Sequence, residues 1–243
     1  MRLRLWLFML ITCGLVCTQA GADDASSKPS TATPEYKLAN GPAPLAENVK
    51  QVDLLTIRGI KNLYNGYPTR NDDATINAIV EIPSGTNAKW EINHTGKMEL
   101  EIREGAPRIV KYLPYPCNYG VVPSTKLAKE TGGDGDPVDV LILGPALARG
   151  TVAKVKVVGL LKLVDKGELD HKVLAVMEHT PLAKVKSLKE LNEQFPGVTD
   201  ILQTWFLNYK GPGKMVFKGW GEATEANELI ERNTIPVQQS ARR

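Results

Sequence analysis

The chain has 243 residues, 42% of them hydrophobic, with 30 Lys and Arg against 27 Asp and Glu. That length supports one domain with a sizeable core. Arg2 and Arg4 belong to an N-terminal leader, and without them the formal charge falls from +3 to +1, which leaves no electrostatic footprint for nucleic acid. Of the three cysteines only Cys117 lies beyond that leader. An intrachain disulfide is thereby excluded, and stability must come from the core and from bound metal.

Residues 1–22 have the layout of a secretory signal peptide: Arg2 and Arg4, an apolar stretch from Leu5 to Val16, then Ala20-Gly21-Ala22. The apolar stretch is too short and wrongly flanked for a spanning helix. Neither Cys13 nor Cys17 has the small-residue context of a lipoprotein cleavage site. The expectation is export to the periplasm or out of the cell, with no stable membrane association after cleavage. Residues 23–40, rich in Ser, Thr, Pro and Ala, read as a flexible linker. From 41 to 77 the one apolar cluster is Val52-Asp53-Leu54-Leu55-Thr56-Ile57, followed by a turn-rich passage through Asn65-Gly66 and Pro68.

Strand signals begin at Ala78 to Ile82 and continue through Ala88 to Asn93, Lys97 to Arg103 and Arg108 to Leu113. Period-2 alternation is clearest in Met98-Glu99-Leu100-Glu101-Ile102. Further strands are expected at Val138 to Leu143, Val152 to Val164, Lys172 to Glu178 and Met215 to Trp220. Helices come late: Ser187-Leu188-Lys189-Glu190 has capping-box spacing, and Thr199 to Tyr209 and Glu222 to Arg232 follow. The order predicts a mainly β fold with flanking α-helices, a small closed barrel under helical cover. Asn93-His94-Thr95 matches a glycosylation sequon, a match too short to carry weight.

The densest chemistry is Asp134-Gly135-Asp136-Pro137-Val138-Asp139, directly before Val140-Leu141-Ile142-Leu143. Three acids so close cannot all stay ionised at neutral pH without a cation nearby. Pro137 disfavours the helical region for Asp136, so Asp134 and Asp136 are expected to face one point, with Asp139 at the mouth of a buried strand. Oxygen-only ligands suit Mg²⁺, Mn²⁺ or Ca²⁺. A solvated acidic turn is the plainer reading of Asp-Gly-Asp alone. A helix-loop-helix calcium loop is excluded, because its sixth and twelfth positions hold Asp139 and Pro145 where Gly and Glu are required.

Other acids and bases recur along the chain. Glu81 ends a strand pattern, Lys89 and Glu91 share one strand face, and Asp165 and Asp170 flank a hairpin-like connection with Lys172 on the side of Asp170. Taken singly, these are solvated strand faces and polar hairpin tips. Yet Glu81-Ile82-Pro83, Lys89-Trp90-Glu91, Tyr115-Pro116-Cys117-Asn118-Tyr119-Gly120, the aspartate hexapeptide, Asp165 with Asp170 and Lys172, and Tyr209-Lys210 stand in one order. In that order, over about Ala78 to Trp220, the chain resembles the family I soluble inorganic pyrophosphatases.

The resemblance implies a five-stranded OB-type closed β-barrel within a domain spanning 41–243. It also implies several Mg²⁺ ions per site, with Mn²⁺ as a substitute, inorganic diphosphate as substrate and a homo-oligomer, a hexamer in bacterial members. Carried over residue by residue, Asp134, Asp139 and Asp170 resemble ligands of activating metals, and Asp165 and Glu91 resemble ligands of substrate-bound metals. Asp136 resembles the acceptor of a proton from the attacking water. Lys89, Arg108, Tyr119, Tyr209 and Lys210 match phosphate-contacting positions, with Arg103 as the alternative to Arg108. Lys172 and Glu81 match polar positions of the same pocket. Lys166 stands where the family often has an acid, and family members are otherwise cytoplasmic.

The charge balance points the same way. Glu81, Glu91, Asp134, Asp136, Asp139, Asp165 and Asp170 outnumber Lys89, Arg108, Lys172 and Lys210, so a polyanion would be repelled unless divalent cations bound with it. His94, His171 and His179 lack metal-ligand spacing, and no side-chain nucleophile is required. The rival readings are an exported phosphatase acting on nucleotides or polyphosphate, a polyanion-binding barrel, and a calcium-dependent structural module.

Overall fold

The computed structural model describes residues 43–238; the expected leader at 1–22 and linker at 23–40 lie outside the described residues. Among the described residues no helix is long and apolar enough to cross a membrane. Among the described residues the fold is mainly β with three α-helices. The first half holds β1 (Val49–Asp53), β2 (Thr56–Gly59), β3 (Ile76–Ile82), β4 (Trp90–Ile92), β5 (Lys97–Leu100), β6 (Ile102–Arg103), β7 (Ala106–Pro107) and β8 (Asn118–Val121). The second half holds β9 (Asp139–Leu143), β10 (Val152–Asp165), β11 (Glu168–Leu169), β12 (Lys172–Met177), α1 (Leu188–Gln194), α2 (Val198–Asn208), β13 (Met215–Glu222) and α3 (Ala223–Arg232).

In the larger sheet β3 pairs with β8, β8 with β9, β9 in parallel with β12, β12 with β10, and β10 again with β3. The long strand β10 also takes β13 on its outer half. Both faces of β9 and β12 are covered. Leu141, Leu143, Leu174 and Val176 belong to one core cluster with α1 and α2, while Val140, Ile142, Val173 and Ala175 belong to a second with α3. A strand buried on both sides needs apolar residues at every position. This is why Val140 to Leu143 is an unbroken apolar run. A smaller antiparallel sheet, β1-β2-β5-β4, covers a third cluster around Ile57, Leu63, Tyr64 and Met98.

The helices fall where capping and periodicity place them. Ser187 Oγ accepts the Glu190 N–H at 3.2 Å ahead of α1, although the Glu190 carboxylate bonds Lys186 N instead of closing the box on Ser187. Two strand expectations need correction. Arg108 to Leu113 is not a strand: Pro107 and Pro114 have no N–H to give, and only Ile109 forms a bridge, to Ala88. Lys97 to Arg103 divides at Glu101, beyond which Glu104 and Gly105, at φ 54° and 77°, make the tight turn between β6 and β7. The apolar cluster at 52–57 is a β1–β2 hairpin whose tip leaves Leu54 exposed.

Strand β8 was not expected, because Tyr119-Gly120 gives no alternation. Gly120 is there for space: a methyl group would stand 1.9 Å from the Ile79 carbonyl oxygen of the neighbouring strand. Gly120→Ala must push β3 and β8 apart in the middle of the sheet. The expected cost is about 3 kcal/mol, the upper range for overpacking, read as a lower midpoint in urea.

Candidate active site

Most of the candidate side chains are brought together at strand ends. Asp139 opens β9 and Lys172 opens β12, and the two are register partners in the parallel ladder, so their side chains share a face. Lys172 Nζ donates to Asp139 Oδ2 and, at 2.5 Å, to Asp170 Oδ1. Lys166 and Gly167, at φ 51° and 94°, turn the chain from β10 into β11, returning Asp170 toward Asp165. Lys210, just beyond α2, donates to Asp165 Oδ2 at 2.7 Å and lies 3.9 Å from Asp170 Oδ2. The helix end is fixed by aromatic packing: Tyr209 stacks on Trp205 at 4.7 Å, and Trp205 Nε1 donates to the Leu113 carbonyl.

On the opposite wall Lys89 Nζ lies 3.1 Å from Glu91 Oε1 and 4.6 Å from the centre of the Tyr119 ring, which Lys172 approaches at 5.7 Å. Glu81, buried at the end of β3, accepts the Ile92 N–H at 2.6 Å. A cavity of about 170 Å³ is lined by Glu81, Lys89, Glu91, His94, Asp136 and Asp139. A larger hollow of about 370 Å³, between the 127–133 segment and α3, contains none of the acids.

Asp134 does not simply mirror Asp136. Its Oδ1 accepts the Asp136 N–H at 2.9 Å, a local turn that fixes the loop. Arg108 is largely buried and donates from Nη1 to Glu101 Oε2, while the exposed Arg103 gives Nη2 to Glu101 Oε1 at 3.2 Å. The Arg108 charge acts on Glu91 and Tyr115. Glu101, which orients both arginines, was not singled out in the sequence, where it is one more outward position of an alternating strand.

Electrostatics separates the acids into two kinds. Burial raises the Glu81 carboxyl to about 8, against the pull of Lys89. Burial and then Asp134, Glu91 and Asp139 raise Asp136 to about 6. For Glu91 and Asp170 burial acts in the same direction but is outweighed, by Lys89 and by Lys172, so both stay below the ordinary carboxylate range. Burial would lower the Lys172 ammonium; Asp139 and Asp170 more than offset it and hold it charged.

Among the described residues no three carboxylates, imidazoles or thiolates converge as a ready-made ion cage; lysines stand between the acids. Asp170 Oδ2 nevertheless is buried with no hydrogen-bond partner. A buried anionic oxygen without a donor is costly, and an all-oxygen set of Asp134, Asp139, Asp165, Asp170 and Glu91 fits a hard divalent cation.

The strand ends and the acidic loop thus build an anionic cavity lined by Glu81, Glu91, Asp136 and Asp139, with Lys89 on its wall. Residues 78–236 match the family model described as inorganic pyrophosphatase. The chain is 39% identical over 159 residues to an inorganic pyrophosphatase of Drosophila melanogaster, covering 58% of this chain and 47% of that one. It is 37% identical over 160 residues to the mitochondrial inorganic pyrophosphatase of Saccharomyces cerevisiae, covering 58% and 52%. The crystal structure of type I inorganic pyrophosphatase from Toxoplasma gondii superposes with a TM-score of 0.67 at 27% identity, covering 79% of this chain and 95% of that one. The chain belongs to the inorganic pyrophosphatase family. It spans about half the length of the curated relatives it matches.

Proposed function

We propose that the chain hydrolyses inorganic diphosphate to two orthophosphates with Mg²⁺. The observation that carries this reading is the Lys172 node: two register-matched strands place one buried ammonium between Asp139 and Asp170, with the unpartnered Asp170 Oδ2 beside Lys210. Divalent cations held by Asp134, Asp139, Asp165, Asp170 and Glu91 would supply charge neutralisation and an acidified water. The Asp136 carboxylate orients that water and takes its proton. Lys89, Arg108, Tyr119, Tyr209 and Lys210 hold the phosphate oxygens, so the leaving phosphate departs against fixed positive charge. Lys172 holds Asp139 and Asp170 in place and keeps Asp170 ionised, and Glu81 fixes the β4 backbone through Ile92.

The same reading takes the cycle of pairings β3-β8-β9-β12-β10-β3 as a five-stranded OB-type barrel. It also takes 1–22 as an export signal, tested by fractionating cells that express the full chain, and the folded protein as a homo-oligomer, tested by sedimentation. Phosphate release is measured from diphosphate, triphosphate and ATP in Mg²⁺. Strong preference for diphosphate is expected, and comparable turnover of ATP refutes the assignment. Arg108→Ala is expected to raise KM about tenfold, the loss of one charge-assisted contact, while Arg103→Ala stays within about twofold of the parent.

A further inference from the structure

His94, on the turn between β4 and β5, lines the cavity but has no role in the reading above. That turn is held from three directions. Asn93 Oδ1 accepts the N–H groups of Thr95 at 3.0 Å and Lys97 at 3.2 Å together with the Thr95 hydroxyl at 2.7 Å. Gly96 has φ 79°, and a methyl group there would lie 2.0 Å from Asn62 Oδ1. The Leu63 N–H donates to the Gly96 carbonyl at 3.1 Å. The 62–64 segment and the turn therefore form one unit, and the buried Tyr64 meets the His94 ring edge to face at 5.4 Å, with planes at 82°.

This places His94 Nε2 3.9 Å from Asp136 Oδ1, ion-pair distance and beyond a direct hydrogen bond. Asp134, Glu91 and Asp139 all repel the Asp136 carboxylate. Among the described residues His94 is the one basic side chain within 4 Å of it. Three like charges repel the carboxylate, and one imidazole on a fixed turn faces it.

We propose that His94 is a positioning residue that acts through Asp136, keeping its carboxylate aimed at the attacking water, with Tyr64 fixing the imidazole plane. This rests on Asp136 being the group that orients the water. Around His94 the facing groups are Asp136 from the acidic loop, Tyr64 from the 62–64 segment, and Glu81, Lys89, Glu91 and Asp139 across the cavity.

The test is made on the whole protein in Mg²⁺ with diphosphate. His94→Ala is expected to lower kcat about fivefold, the loss of one partly exposed polar contact, with KM and the Mg²⁺ half-saturation unchanged. His94→Gln, which keeps an N–H donor in reach, restores most of the loss. A fall that Gln does not restore, or a joint rise in KM and Mg²⁺ half-saturation, overturns the proposal, since a merely structural turn would behave that way. A second reading needs no turnover: in metal-free protein at one fixed pH the His94 ring resonances in ¹H–¹⁵N NMR should move in Asp136→Asn relative to the parent. Unmoved resonances refute the pairing. Absence of phosphate release by the parent would remove the diphosphatase reading alone, and the NMR comparison would still decide the pairing.

Discussion

Asp136→Asn should lower kcat for diphosphate by about 10²- to 10⁴-fold, the span associated with a positioned general base, while urea and thermal midpoints stay near those of the parent. The asparagine has the same shape and cannot take a proton. The Asp136 side chain is 65% exposed, so the core does not depend on it. The Asp134 carboxylate bonds the backbone N–H of residue 136, which the substitution leaves in place. Removing one of four neighbouring negative charges should relieve the cavity, so binding of Mg²⁺ and diphosphate is not expected to weaken much. Loss in kcat with KM nearly constant is therefore the signature of the proton role. Phosphate-release rates over a diphosphate titration settle it: a variant retaining a tenth of parental kcat would take Asp136 out of the reaction.

The sequence made the site legible where local chemistry is written in neighbouring letters. Pro137 after Asp136, Asp170 two before Lys172, and Lys89 two before Glu91 each state a facing direction without knowledge of the fold. It also made legible the strands that are apolar after their first residue, β9 and β12, and the capping start of α1 at Ser187. What stayed hidden depended on partners distant in sequence. Strand β8 has Gly120 where the Ile79 carbonyl passes, and closeness of that kind leaves no periodicity behind. Glu101 read as an outward strand position until its two arginines were placed around it. His94 read as the middle of a chance sequon, because Asn62, Tyr64 and Asp136 come from separate segments. A β fold with many non-local pairings hides most of its site in this way.

The largest effect on stability should come from Lys172→Met. The side chain is 2% exposed and serves two carboxylates, Asp139 at 21% and Asp170 at 15% exposed. Methionine fills the aliphatic space, so packing is nearly conserved and the change isolates the charge. Two partly buried anions are then left facing each other with Lys210, 3.9 Å from Asp170, and the more distant Lys89 as counter-charges. Breaking a buried pair by removing one partner costs about 3–5 kcal/mol. For a domain of this size that is a fall of about 10 °C in the thermal midpoint in EDTA. Millimolar Mg²⁺ should return much of it, because a cation binding only the folded state stabilises that state, and Asp139 and Asp170 offer it the charge that Lys172 no longer compensates. In the parent the same addition competes with a resident ammonium, so its midpoint should move less. The informative quantity is the difference between the two Mg²⁺-induced shifts. Equal shifts in parent and variant would mean that the ions bind away from Asp139 and Asp170, and the ligand assignment built on these two residues would fall with that result.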